Sequence, residues 1–91
     1  MQPKRLFNLG QVLVTSHALS VLDPEDMFLG LQKHASGDWG ELCDEDKEAN
    51  EQALKQGLRL LSAYVDRNGA RYWIITEADR SSTTIMLPED H

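Results

Sequence analysis

The sequence predicts an α+β domain, a three- to four-stranded antiparallel sheet with two or three helices packed on it. Three observations lead there. Helix-start and helix-stop residues frame two amphipathic segments between residues 23 and 57. Asn68-Gly69 lies between two runs rich in β-branched and aromatic residues. The 91 residues leave room for one core, so residues 1–91 read as a single domain.

Leu9 to Thr15, around Gln11-Val12-Leu13-Val14, reads as a short strand, and Thr15 or Ser16 can cap a short helical segment through Leu22. Asp23-Pro24-Glu25-Asp26 is a strong helix start: an N-cap carboxylate, proline at the first helical position, and acids at the positive end of the dipole. Met27, Phe28, Leu31, His34 and Ala35 then share one face, and the helix should end near Ser36-Gly37. Asp44-Glu45-Asp46 opens the next helix and Gly57 closes it. Its apolar stripe of Ala49, Ala53 and Leu54 is narrow, which predicts a surface helix.

Leu58 to Val65 and Arg71 to Thr76 flank Asn68-Gly69, which predicts a two-residue hairpin with Asp66 facing Arg71 and Tyr64 facing Trp73. Thr83 to Leu87 supplies a third strand, ended by Pro88, in an antiparallel meander that the N-terminal strand can extend. This register places Leu61, Ala63, Val65, Tyr72 and Ile74 on one face and Leu60, Tyr64, Trp73 and Ile75 on the other. A sheet apolar on both faces needs helices on both sides or a second copy of the chain, so a homodimer is one expectation.

No apolar run approaches the roughly 20 residues of a membrane span. The opening basic pair Lys4-Arg5 is followed by a stretch broken at Asn8, Gly10 and Gln11, which does not fit a signal peptide. Cys43 is the only cysteine, so no disulfide framework is available within one chain, and a cytoplasmic protein is expected. The net charge of −6 argues against direct nucleic-acid binding, which needs a cationic footprint. It leaves open a basic protein partner, mimicry of a phosphate backbone, or solubility alone.

Polar residues that could carry chemistry fall in three places. The stretch Asp38, Glu41, Asp44, Glu45, Asp46, Glu48 and Glu51 lacks the alternating ligand spacing of a calcium loop and reads as a solvated helix face. His34, one turn before Asp38, reads as a general base, a ligand, or a core histidine bonded to backbone. Thr76-Glu77-Ala78-Asp79-Arg80, with Ser81-Ser82-Thr83-Thr84 after it, follows an apolar strand. Glu77 and Asp79 there could serve as acid and base with Arg80 on an anion, or Asp79 and Arg80 could bridge the turn structurally. Trp39 either anchors its loop or offers an exposed contact. No phosphate-cradling glycine loop, nucleophile elbow, dinucleotide fingerprint or zinc motif is present, so neither a cofactor nor a metal is expected.

The segments Ser36-Gly37-Asp38-Trp39-Gly40-Glu41, Asn50, Leu58-Arg59-Leu60-Leu61-Ser62-Ala63-Tyr64, Trp73-Ile74-Ile75-Thr76-Glu77-Ala78-Asp79-Arg80 and Thr83-Thr84 through Leu87-Pro88 resemble a group of short bacterial proteins of uncharacterised activity carried on plasmids, phages and integrated elements. The resemblance runs from about residue 6 onward. It implies a polar site at His34, Asp38, Trp39, Glu41, Asn50, Thr76, Glu77, Asp79, Arg80 and Thr84. The expected function is that of a non-enzymatic interaction or regulatory accessory protein of a mobile genetic element with a protein partner, an inhibitor of a host system being one variant. The alternative is a small enzyme acting on a nucleotide or nucleic acid through His34, Glu77, Asp79 and Arg80, which requires those side chains to meet in one cleft.

Overall fold

The computed structural model describes residues 5–91. In chain order the elements are β1 (Gln11–Val14), α1 (Ser16–Val21), α2 (Pro24–Ala35), α3 (Asp44–Gln56), β2 (Leu60–Val65), β3 (Arg71–Thr76) and β4 (Ser82–Met86), followed by a 3-10 turn at Pro88–Asp90. The fold is α+β, with helices packed on a four-stranded sheet.

Local chemistry sets the helix ends where the sequence places them. Thr15 caps α1 by accepting from the Ala18 N–H, and the Asp23 carboxylate caps α2 through the Glu25 and Asp26 N–H groups. Three acids in the first turn of α3 face its positive end, and Gly57 ends it in the left-handed conformation. The inward stripe of α3 differs from expectation, because Ala49 is exposed and the buried positions are Asn50 and Ala53.

The sheet order is β1-β4-β3-β2. β2, β3 and β4 form the antiparallel meander, whereas β1 joins β4 in parallel, Gln11 opposite Ser82 and Val14 opposite Ile85. The sheet is therefore mixed rather than wholly antiparallel. A parallel pair needs a long crossover, and here the connection runs through all three helices and two strands.

The hairpin register is offset by one residue from the expected one. Tyr64 faces Tyr72, Ala63 faces Trp73 and Val65 faces Arg71. The cause is Asp66, whose side chain accepts from the N–H groups of Asn68 and Ala70 while its carbonyl accepts from Gly69. Asp66 also pairs with Ala70, so the loop is Arg67-Asn68-Gly69 with Gly69 at φ +85°. This is the three-residue hairpin loop with a left-handed last residue, not the two-residue one.

The offset redistributes β3. Leu60, Ser62, Tyr64, Tyr72, Ile74 and Thr76 point to the helix side, where they are buried, and Trp73 and Ile75 join Leu61, Ala63 and Val65 on the outer face. Both faces are apolar, as expected, but the helices α1 and α2 pack on one of them. Tyr64, Tyr72, Ile74, Ile85 and Leu87 meet Ala18, Leu22 and Met27 there. A second cluster joins Trp39, Ala53 and Leu60, with Phe7, Leu42 and Leu54 against it.

The β2 edge is closed. Glu41 N–H donates to the Ala63 carbonyl at 2.7 Å, Ala63 N–H donates to Trp39 at 3.3 Å, and the Asn50 amide bonds both the N–H and the carbonyl of Leu61. Gly40 makes this approach with φ +76°, and a Cβ there would lie 2.0 Å from the Ala63 oxygen. Gly57 has a similar φ of +70° but open space around it. We expect Gly57→Ala to lower stability by about 1 kcal/mol, the backbone strain alone. Gly40→Ala adds the collision and should cost at least about twice as much in urea unfolding. Equal losses would show that the edge does not depend on this approach.

Candidate functional site

His34 lies one residue before the end of α2, with no exposed surface. Its Nε2 is 2.9 Å from Thr76 Oγ1 on β3, and its Nδ1 bonds Ser62 Oγ on β2. Thr76 Oγ1 continues to Thr83 Oγ1 on β4 at 2.8 Å, and Thr83 donates to the Leu9 carbonyl at 2.7 Å. The last acceptor fixes every proton before it, because a carbonyl can only accept and each hydroxyl carries one hydrogen. Thr83 gives its proton to Leu9, so Thr76 donates to Thr83. Thr76 must then accept from His34 Nε2–H. Burial keeps the imidazole neutral, so Nδ1 accepts from Ser62 and His34 is the neutral Nε2–H tautomer.

Burial pushes the His34 imidazole down to about 4, helped by the Arg80 charge. Between that value and the ordinary 6.5, the unfolded chain binds a proton that the folded chain refuses, so stability rises with pH across the window. The contribution, about 3 kcal/mol, is fully present above pH 6.5 and lost as pH falls to about 4. Urea unfolding at pH 7 and pH 5 should show about 2 kcal/mol of this loss in the parent. In His34→Gln, which can bond both hydroxyls without titrating, the two free energies should nearly agree; the same slope in both proteins would assign the loss to other groups.

The remaining polar residues are placed by backbone contacts. Trp39 is 3% exposed and anchors its loop, donating from Nε1 to Glu51. Its ring lies 5.8 Å from His34 and 6.4 Å from Phe7. Arg80 sits over the other neighbour of that group, 5.6 Å from the Phe7 ring centre. The guanidinium donates to the carbonyls of Leu58, Ala53 and Glu77, closing the C-terminal end of α3 and the β3–β4 turn. Arg80 holds φ +61°, a left-handed backbone in a non-glycine residue, and these carbonyl contacts stabilise it there. Removing the fork in Arg80→Ala should lower unfolding stability by about 2 kcal/mol, and an unchanged urea midpoint would contradict that role.

Several expected pairings are absent. Arg80 does not bridge to Asp79, whose carboxylate instead accepts from the Ser81 N–H and is held below the usual carboxylate range by the Ser81 hydroxyl and backbone. Glu77 turns to Arg59 at 3.7 Å. Thr84 is half-buried on the outer face, opposite Ile75. Asp38 caps the Gly40 N–H, and its carbonyl accepts from the Tyr64 hydroxyl. Asp38 and Glu41 line a cleft of about 330 Å³ beside α2, together with Lys33, Tyr64 and Tyr72.

The structure therefore uses His34, Thr76, Trp39, Asn50 and Arg80 as internal ties: His34 meets Thr76, Trp39 and the Phe7 ring under Arg80, and Asn50 stands apart at Leu61. The side chains of Asp38, Glu41, Glu77, Asp79 and Thr84 are separate from them, Glu77 meeting Arg80 through its carbonyl alone, and His34 bonds neither Glu77 nor Asp79. Ser62, Thr83 and Phe7 complete the arrangement; of these only Thr83 is among the candidate polar residues of the sequence, within the run after Arg80. Their signal was two small hydroxyl residues at inward strand positions opposite an imidazole. Among the described residues no group of three or more His, Cys, Asp or Glu is placed to hold a metal ion. None of their helices is long and apolar enough to cross a membrane.

A groove of about 300 Å³ opens on the other side of α2, between it and β1, lined by Leu9, Val12, Phe28, Leu31 and Ala35 with Arg5 and Gln32. Phe28 is 58% exposed and Val12 42% exposed. Comparison of the chain with family models, curated proteins and solved structures gives no match.

Proposed function

We propose that the chain is a non-enzymatic interaction module, an accessory protein that acts by engaging a partner protein, in keeping with the mobile-element proteins it resembles. One observation carries this reading. The polar groups that would perform chemistry are consumed by the fold, while large apolar side chains are turned to solvent beside a groove. His34 has no exposed surface and Arg80 spends its donors on carbonyls, which gives no support to an acid–base site built on them.

The groove between β1 and α2 is the surface best suited to the task. Its lining is apolar apart from Arg5 and Gln32, and Phe28 stands exposed at its rim. All 15 acidic residues lie at or after Asp23, and none of the residues lining the groove is acidic. An apolar segment of a partner can bury there without meeting the negative charge that dominates the rest of the chain.

The test is recovery of a partner from lysate of the host by tagged protein, compared with a Phe28→Ser variant matched in unfolding midpoint. The variant should recover at least about tenfold less, as expected for the loss of a buried aromatic anchor. Equal recovery by both proteins, or none by either, overturns the reading.

A further inference from the structure

We infer that β1 is a self-pairing edge: β1 of one molecule adds antiparallel to β1 of a second copy, with the two-fold axis at Leu13, to form a continuous eight-stranded sheet. This goes beyond the partner reading above, since it requires only the chain itself and uses the strand's backbone rather than the groove.

The two sheet edges are treated differently. The β2 edge is covered by Trp39, Glu41 and the Asn50 amide, as described. The β1 edge has no such cover among the described residues. Gln11 N–H and Thr15 N–H donate into β4, each at 3.0 Å, to the carbonyls of Ser81 and Ile85. Alternation along the strand then turns the backbone groups of Val12 and Val14 outward, two donors and two acceptors without partners among the described residues. An edge of this kind normally carries a charge, a proline or a bulge that prevents further pairing. Gln11-Val12-Leu13-Val14 carries none of them, and shortness, four residues, is its one protection.

The exposed groups fit a copy of themselves. The extended run is limited by Gly10 at φ +64° on one side and by the start of α1 at Ser16 on the other, with Thr15 still extended. Leu13 is its centre. A two-fold axis there sets Val12 opposite the second copy's Val14, and Val14 opposite its Val12, so all the outward donors and acceptors are matched. Leu13 meets its own copy in the close, non-hydrogen-bonded position. The 42% exposure of both Val12 and Leu13 is then reduced on both faces of the sheet.

Charge points to the same occupant. A chain of net charge −6 repels its own copies, yet residues 1–22 contain no acid, and the Asp90 carboxylate that reaches this segment is bonded there to Thr15 and His17. The acidic helix α3 flanks β2, three strands away from β1 in the order β1-β4-β3-β2. Pairing through β1 puts the two acidic helices at opposite ends of the assembly, many screening lengths apart in physiological salt.

The experiment uses the purified full chain in sedimentation equilibrium from about 1 µM to about 1 mM. A monomer–dimer equilibrium is expected. Val12→Pro removes only an outward N–H and leaves the β4 ladder intact, so it should raise the dissociation constant at least about tenfold. Register is read separately: in a Cys43→Ser background, Leu13→Cys should form a disulfide-linked dimer under mild oxidation, whereas Gln11→Cys, which would face Thr15, should not. A parent that stays monomeric throughout overturns self-pairing and leaves the edge for a strand from another protein. A dimer unaffected by Val12→Pro, together with equal crosslinking by the two cysteine variants, places the contact elsewhere and overturns it as well.

Discussion

The rest of the molecule depends on one line of hydrogen bonds buried in its core, from Ser62 through His34, Thr76 and Thr83 to the Leu9 carbonyl. It ties α2 to β2, β3, β4 and the segment leading into β1. A polar group buried without a partner is costly, so a chain of five is stable only when every link is made. Here every link is made, and no buried side-chain nitrogen or oxygen among the described residues lacks a partner. The same completeness gives the core one arrangement: sliding α2 along the sheet would strand several groups at once, whereas a purely apolar contact would tolerate the slip.

The loops are held in the same manner, by side chains that take the place of missing backbone partners. Asn50 imitates a strand against Leu61, and Arg80 terminates α3 from a distance. At the opposite end, Arg67 in the hairpin loop pairs with Asp23, Glu25 and Asp26 at the start of α2, and the Asp66 carboxylate accepts from Asp23 N–H. The guanidinium holds the Asp26 carboxyl below its usual range. In a domain this small, buried area is limited, and such ties do work that a larger core would do through packing.

The helices were legible because their signals are local. Asp23-Pro24 and Gly57 determine α2 and α3 ends through contacts within one turn. The hairpin was legible in place but not in register: Asn68-Gly69 marks a turn, yet the Asp66 side chain two residues earlier decides the loop length. The parallel pairing of β1 was hidden because nothing in four residues specifies which distant strand they join. The candidate polar residues separated by the same logic. His34 was correctly placed on an inward face, but its partners are hydroxyls on two distant strands, and Asp79 and Arg80, adjacent in sequence, proved to serve different backbone groups.

The parallel ladder also has a temporal meaning. Gln11 pairs with Ser82, and Leu9 accepts the final proton of the polar line from Thr83. During synthesis β1 therefore waits, without a neighbour to zip onto, until β4 has been made. Closure of so long a loop is entropically slow. The core cannot seal progressively from one end; its seal is the meeting of β1 with the last strand of the sheet.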